Sequence, residues 1–175
     1  MTITYLDVET TFMVGENRRT DPSPFNANNK LVSVQYSHDN GPIQFNWFYH
    51  KDMDEMASEM TVGESFNLVQ DVLDKTTVLI GHNIKFDLMW LWESGFNYDG
   101  QVYDTMIGEY TLLRCQKWGL SLADSCIRRK VAMKKSDLTH DYLKEGIGFD
   151  AMPMATVQEY GIADIESTKQ LHLAQ

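Results

Sequence analysis

Short stretches in which hydrophobic and polar residues alternate dominate the first fifty residues, and this two-residue period predicts β-strands. The stretches at 31–37 (LVSVQYS) and 43–49 (IQFNWFY) are rich in β-branched and aromatic residues. They flank an Asn40-Gly41 pair, which is a strong hairpin signal. A third such run, at 3–6, precedes them. We therefore expect three strands in an antiparallel meander.

After residue 60 the spacing of apolar residues changes to that of helices. The pattern predicts an apolar central strand at 77–82 and helices at 61–75, 85–95, 104–115, 121–130 and 155–174. Residues 10–30 and 130–154 lack a regular period, which predicts irregular connections there. Strands and helices that alternate after a meander are typical of a mixed α/β sheet, although the pattern does not identify a fifth strand.

Size and composition favour one globular domain. The chain has 175 residues, 43% of them hydrophobic, so we expect a single domain over 1–175. The sequence contains no apolar run of about 20 residues that would span a bilayer, and we expect no membrane association. Its two cysteines, Cys115 and Cys126, have neither disulfide-framework nor zinc-site spacing, which indicates a reducing compartment.

Charge is distributed unevenly. The formal net charge of −10 argues against coating nucleic acid through bulk electrostatics. The segment 114–135 nevertheless holds seven basic residues: Arg114, Lys117, Arg128, Arg129, Lys130, Lys134 and Lys135. Two interpretations stay open for this segment, a solvated surface and a local track for phosphates.

Four acids do not fit an ordinary structural role. Residues i and i+2 of a strand share a face, so Asp7 and Glu9 project together from a strand that should be buried. Asp87 lies in the first turn of a helix, and Asp164 lies inside the longest helix. Buried carboxylates need cations or a metal, and oxygen-only ligands favour Mg²⁺ or Mn²⁺. A carboxylate cluster that holds two such ions is the usual apparatus of phosphodiester hydrolysis.

The spacing of these acids resembles a known superfamily. Asp7-x-Glu9, Asn83-x-x-x-Asp87 and Tyr160-x-x-x-Asp164 are similar, in order and on the expected elements, to the three motifs of the DEDD 3′-to-5′ exonucleases. The proofreading domains of family A DNA polymerases, bacteriophage ones especially, look most similar. Tyr160 stands four residues before Asp164, which resembles the tyrosine subclass, DEDDy.

The resemblance implies a fold, a reaction and roles. The fold would be ribonuclease H-like, with a mixed sheet of roughly five strands flanked by helices. The reaction would be removal of single nucleotides from the 3′ end of single-stranded or frayed DNA by two metal ions, Mg²⁺ or Mn²⁺. Asp7, Glu9, Asp87 and Asp164 would hold the ions, and Tyr160 would orient the attacking water.

Substrate contacts are also implied by position in the family. Thr10, Asn83 and Lys85 match positions that touch the terminal nucleotides. Met13 lies where an apolar wedge meets the last base, although Phe12 or Phe25 could serve instead. Bases of a frayed end can stack on such side chains without sequence preference.

Alternatives remain at this point. A nuclease of the same chemistry could trim RNA, because recognition of a 2′-hydroxyl depends on few side chains. A catalytically silent docking module of a polymerase is a further possibility, which the four intact acids oppose. We expect a partner polymerase, linked or separate, a role in proofreading or in DNA replication or repair, and a location in the cytoplasm, that of the host if the chain is phage-encoded.

Overall fold

The computed structural model describes residues 1–14, 20–53, 55–114, 116–131 and 137–175. Its strands are β1 (Ile3–Thr10), β2 (Met13–Val14), β3 (Thr20–Asp21), β4 (Leu31–His38), β5 (Ile43–Trp47), β6 (Val78–Gly81) and β7 (Gln101–Asp104). Its helices are α1 (Glu55–Lys75), α2 (Lys85–Glu93), α3 (Thr105–Leu112), α4 (Leu122–Arg129), α5 (Asp137–Lys144) and α6 (Met154–Ala174). Within the described residues, none of these helices combines the length and the apolar character that a membrane span requires.

Five of the strands form one mixed sheet in the order β5-β4-β1-β6-β7. The pairs β1/β4 and β4/β5 are antiparallel, whereas β1/β6 and β6/β7 are parallel. The predicted α/β fold of the ribonuclease H-like type is therefore confirmed, and β7 is the fifth strand that the pattern did not identify. The β4–β5 hairpin turns through Asp39 and Asn40, whose φ angles of 47° and 61° are typical of a type I′ turn.

One face of the sheet packs on α1 and α2. Leu6, Val8 and Leu79 meet Leu73 of α1 and Leu91 of α2 in the main hydrophobic core. Gly95 ends α2 as predicted, with the positive φ of 93° that a glycine adopts freely.

The other face is covered by α6, which also contacts α3, α4 and α5. Tyr5 of β1 and Ile80 of β6 pack on Ile165 of α6. Farther along, Leu171 of α6 packs on Cys126 of α4, whose thiol is buried. Because α6 lies across β1, β4 and β5, its side chains reach the middle of the sheet.

One boundary and two connections differ from what the sequence predicts. α1 begins at Glu55, before the predicted start at 61. The expected loop 10–30 contains the two-residue strands β2 and β3, which are too short to show a period. The expected connection 130–154 contains the eight-residue helix α5.

The sequence signal for α5 is weak. Thr139 is its buried residue, so the helix lacks a broad apolar stripe. Its remaining signal is polar, since Asp137 and Lys144 complement the helix dipole. Of the residues discussed above, Cys115, Lys134 and Lys135 lie outside the described part of the chain.

Candidate active site

The acids of β1 lie on the side of the sheet that α6 covers. Leu6 and Val8 belong to the core on the α1–α2 side, whereas Tyr5 packs on α6. Side chains alternate along a strand, so Asp7 and Glu9 share the Tyr5 side. The central strand therefore presents both acids to the helix that carries the third predicted motif.

Asp7, Glu9 and Asp164 form a compact group, called here the acidic cluster. One carboxylate oxygen of each lies within 4.8 Å of the others, and Glu9 and Asp164 are only 6% and 4% exposed. Three carboxylates this close oppose each other's ionisation unless a cation joins them. Three carboxylate oxygens this close together could all bind one ion, and oxygen ligands suit a hard divalent ion such as Mg²⁺. The residues therefore fit the metal site that the sequence predicts.

Asp87 lies beside this cluster, on the first turn of α2. The residue is 3% exposed, and its Oδ1 accepts a hydrogen bond from the backbone N–H of Val8 at 3.0 Å. Burial and the charge of Asp7 raise the pKa of Asp87 well above its ordinary value, and Asp104 adds to this; backbone N–H groups act in the opposite direction. The structure thus brings all four predicted acids to one place, with Asp87 adjoining the compact group of three.

Tyr160 stands one helical turn before Asp164 on α6. Burial raises the pKa of the Tyr160 hydroxyl far above its ordinary value, and Asp164, Glu9 and Asp7 raise it further, partly through a hydrogen bond to Asp164. The hydroxyl is therefore protonated at any ordinary pH, which makes it a hydrogen-bond donor and not a base. Its ring packs against Phe149, with 5.6 Å between the ring centroids.

A cleft of about 380 Å³ borders the acidic cluster; its lining comprises Asp7, His82, Asn83, Met106, Leu120, Ser121, Leu122 and Asp164. His82 joins two walls of this cleft. Its ring nitrogens bond Thr105 Oγ1 and the carbonyl oxygen of Leu120, each at 2.9 Å. The cleft is therefore held by contacts between the start of α3 and the residues before α4.

The predicted substrate contacts lie in different places. Asn83 lines the cleft in a left-handed conformation with φ 61°, held by a hydrogen bond from its N–H to Asp104 Oδ1 at 2.9 Å. Thr10 is buried at the end of β1, where the register with β4 shifts. Met13 is 43% exposed and lines a separate cleft with Tyr49.

Lys85 borders a larger groove of about 640 Å³ between α2 and α3, with the exposed apolar residues Trp92 and Ile107. The lining of this groove does not include the acidic cluster. We assign the chemistry to the smaller cleft because it contains the carboxylates, and size alone does not identify a site.

Two residues of the basic segment 114–135, Arg128 and Arg129, have a role that neither interpretation anticipated. Arg128 Nη1 donates to Glu109 Oε1 at 2.7 Å, and Arg129 Nε donates to Glu109 Oε2 at 2.9 Å. The Glu109 side chain is fully buried, whereas the two arginines are 21% and 26% exposed. These arginines therefore hold α4 against α3 by neutralising a buried acid, and we do not count them as free for phosphates.

Gln35 is a further residue at the site that the sequence did not single out. Its Nε2 donates to Asp7 Oδ2 at 2.6 Å, and the residue is fully buried on β4. The polar residues of an alternating stretch such as LVSVQYS ordinarily face solvent, so the pattern gave no reason to select Gln35 as a site residue.

Comparison with known proteins agrees with this site. The family model for a 3′-5′ exonuclease matches residues 20–174, and the chain belongs to this family of hydrolytic exonucleases. The match begins after β1, so Asp7 and Glu9 are placed by the geometry described above. No curated protein sequence matches the chain.

Solved structures share the fold. NrnC of Brucella melitensis bound to pGG superposes with a TM-score of 0.60 at 21% identity, over 98% of this chain and 70% of that one. NrnC with bound Mg²⁺ gives 0.58 at 22% identity, with the same coverage of both chains. The family B DNA polymerase of Pyrobaculum calidifontis gives 0.60 at 15% identity over 98% of this chain, which corresponds to 24% of the polymerase.

Proposed function

We propose that this chain removes single nucleotides from the 3′ end of single-stranded or frayed DNA, releasing nucleoside monophosphates. The observation that carries the proposal is the convergence of Asp7, Glu9 and Asp164 beside Tyr160 in a member of the 3′-5′ exonuclease family. Oxygen atoms that suit a hard ion lie next to a hydroxyl donor there, and a cleft borders them.

Asp7, Glu9 and Asp164 would hold one divalent ion, and Asp7 with Asp87 would support a second, either Mg²⁺ or Mn²⁺. Such ions lower the pKa of water and stabilise charge on the attacking and leaving oxygens of an in-line displacement. The raised pKa of Asp87 supports this role, because a cation would stabilise the ionised form of a buried acid that lies beside other acids. NrnC with bound Mg²⁺ shares the fold, which is consistent with the choice of ion.

Tyr160 would position the attacking water by hydrogen bonding. Its high pKa keeps the hydroxyl protonated, so the residue would orient the water and would not remove a proton from it. The subclass proposal, DEDDy, rests on this residue and on its spacing to Asp164.

Substrate would enter the cleft with its last nucleotides near Asn83 and Thr10. Met13 lines a separate cleft and Lys85 borders the groove between α2 and α3, so their proposed contacts, with the terminal base and with the phosphate backbone, require DNA that extends beyond the cleft at the acidic cluster. The net charge of −10 gives the body little affinity for DNA of its own. A polymerase partner, in proofreading, would supply that grip, and a cytoplasmic or bacteriophage setting stays a prediction.

Trimming of RNA or of short oligonucleotides is the second candidate, and the structural neighbour bound to pGG favours it. A silent docking module is a weaker hypothesis, since the chain belongs to an exonuclease family and keeps all four acids.

A degradation assay tests the proposal. Purified protein is incubated with 5′-labelled single-stranded DNA, with a matched RNA and with pGG, each with Mg²⁺, with Mn²⁺ or with EDTA. We expect a ladder that shortens from the 3′ end of the DNA, that needs the metal and that the Asp7→Asn variant lacks. Faster loss of RNA or pGG would support the second candidate, and equal cleavage in EDTA would overturn the metal mechanism.

A further inference from the structure

The carboxylate of Asp7 accepts a hydrogen bond from the buried side-chain amide of Gln35. Gln35 Nε2 donates to Asp7 Oδ2 at 2.6 Å, and Asp7 and Gln35 are direct partners across the β1/β4 ladder. Ser33 Oγ, on the same face two residues earlier, donates to Gln35 Oε1 at 3.2 Å. The hydrogen bond fixes the rotation of the Asp7 carboxylate, and the serine fixes the amide, so the direction of the donor is determined.

This amide lies in an unusual row. Ser33, Gln35 and Ser37 occupy the face of β4 that lies beneath α6, and all three are fully buried. A polar strand face of this kind is normally solvated, and its burial needs a reason. Contact between Gln35 and Asp7 provides one, because the amide directs its donor at the acidic cluster.

Helix α6 approaches this row through a glycine. A Cβ added at Gly161 would lie 2.9 Å from Gln35 Cδ and Nε2, and 3.0 Å from Phe45 Cε2. No side chain fits there unless the amide moves. Gly161 lies between Tyr160 and Asp164 in the sequence, so the residue that allows close approach is part of the segment that carries the helix's share of the site.

We propose that Gln35 is a positioning residue for the metal site, and that its contact with Gly161 sets the distance between the strand acids and the helix acid. The amide group of Gln35 orients the Asp7 carboxylate. The same amide contacts α6 at Gly161, and this contact fixes the position of α6 so that Asp164 lies close to Asp7 and Glu9. This inference rests on the proposed function, since it concerns the ligands of the metal that the nuclease would use.

Metal affinity gives the decisive test, because a merely structural role would leave it unchanged. Mn²⁺ binding is measured by calorimetry on the wild type and on Gln35→Met, which keeps the volume but removes the donor. Loss of partners that orient ligands weakens metal affinity by about 10- to 100-fold, and we expect a change of this size. The Mg²⁺ concentration that gives half-maximal nuclease activity should rise in parallel.

Ser37→Ala is the matched control. Ser37 lies on the same buried face, and its Oγ donates to the carbonyl oxygen of Gly41 at 2.9 Å, away from the acids. The control should lower the thermal midpoint of unfolding in EDTA while Mn²⁺ affinity stays at the wild-type value. Equal metal affinity in Gln35→Met and the wild type would overturn the proposal.

Gly161→Ala tests the second half of the proposal independently. The added methyl should displace the amide and weaken Mn²⁺ binding although Gln35 is present. In the double variant Gln35→Met/Gly161→Ala a further loss beyond that of Gln35→Met is expected, because the added methyl would still meet the side chain at position 35 and Phe45 and so shift α6. Unchanged Mn²⁺ affinity in Gly161→Ala would overturn the second half of the proposal. A wild type that binds no Mn²⁺ would instead refute the proposed function, so the two failures are distinguishable.

Discussion

Two buried carboxylate sites lie along α6, one near its middle and one at its C-terminal end, and their electrostatic settings are opposite. At Glu109, burial acts to raise the pKa of the carboxyl, but hydrogen bonds from Arg129, Arg128 and Gln175 outweigh it and lower the pKa. At the acidic cluster, burial raises the pKa of Asp87, and the charges of Asp7 and Asp104 add to that effect. The protein thus stabilises the ionised carboxyl group in one place, whereas burial and neighbouring acids oppose ionisation in the other.

The difference separates a structural role from a functional one. A buried acid such as Glu109, whose carboxylate oxygens both accept hydrogen bonds from the protein, needs no further cation and holds two helices together. A buried acid whose pKa is raised by neighbouring acids, as that of Asp87 is, is stabilised in its ionised form when a cation binds beside it, which is typical of a functional site. Predictions that act on one site and spare the other test this division.

The largest expected effect is on activity. Asp164→Asn keeps the shape of the side chain but removes a charged ligand, and a loss of about 4 kcal/mol in transition-state stabilisation corresponds to about 10³-fold in rate. The rate on single-stranded DNA is the measurement, and Asp71→Asn, an exposed acid on α1, is the control. Less than tenfold loss would remove Asp164 from the site.

The second effect is on stability. Glu109→Gln breaks the charge pairing with Arg128 and Arg129, and we expect a loss of about 2–3 kcal/mol in the free energy of unfolding, measured by urea denaturation at pH 7. Mn²⁺ affinity should stay unchanged. Glu145→Gln, at an exposed position, should have no effect.

The pH dependence of this loss has a definite sign. Because the folded-state pKa of Glu109 is lowered, its contribution is fully present above the ordinary carboxyl pKa of about 4.3, and it disappears as the pH falls through the folded value. The difference between the wild type and Glu109→Gln should therefore narrow in acid. A difference that widens there would mean that the pair is not what stabilises α3 against α4.

The smallest expected effect is a gain in stability when the charge of Asp87 is removed, opposite in sign to the loss at Glu109. The raised pKa of Asp87 means that ionisation opposes folding, so Asp87→Asn should raise the thermal midpoint in EDTA at pH 7 by a few degrees, about the shift that 1 kcal/mol produces. The gain should vanish below the ordinary Asp pKa of about 3.9, where the carboxyl is protonated in both states. Added Mn²⁺ should stabilise the wild type more than the variant; a variant that is less stable in EDTA at pH 7 would contradict the comparison.

Local patterns in the chain were enough to predict most elements and the acids of the site. Period-two and helical spacing located the strands of the meander, the central strand β6 and the helices α2, α3, α4 and α6, because each pattern reports which side of a local element is buried. The motif spacing selected Asp7, Glu9, Asp87, Tyr160 and Asp164, and these five side chains lie in one region of the structure.

The surroundings of these acids could not be predicted in the same way. The polar row of β4 is buried because α6 lies over it, and nothing local in LVSVQYS indicates a helix from the far end of the chain. Gly161 of that helix approaches Gln35 closely, although the two residues are remote in sequence. The pairing of Arg128 and Arg129 with Glu109 likewise joins two helices, and neither sequence indicates which residue its charged side chains will meet.

The physical reason is the range of each signal. Periodicity reports the environment of one element, because it depends only on which side of that element is apolar. Hydrogen bonds between elements, such as the one from Gln35 to Asp7, depend on how distant parts of the chain pack in space. The sequence therefore identified the acids, and the fold determined how they are held.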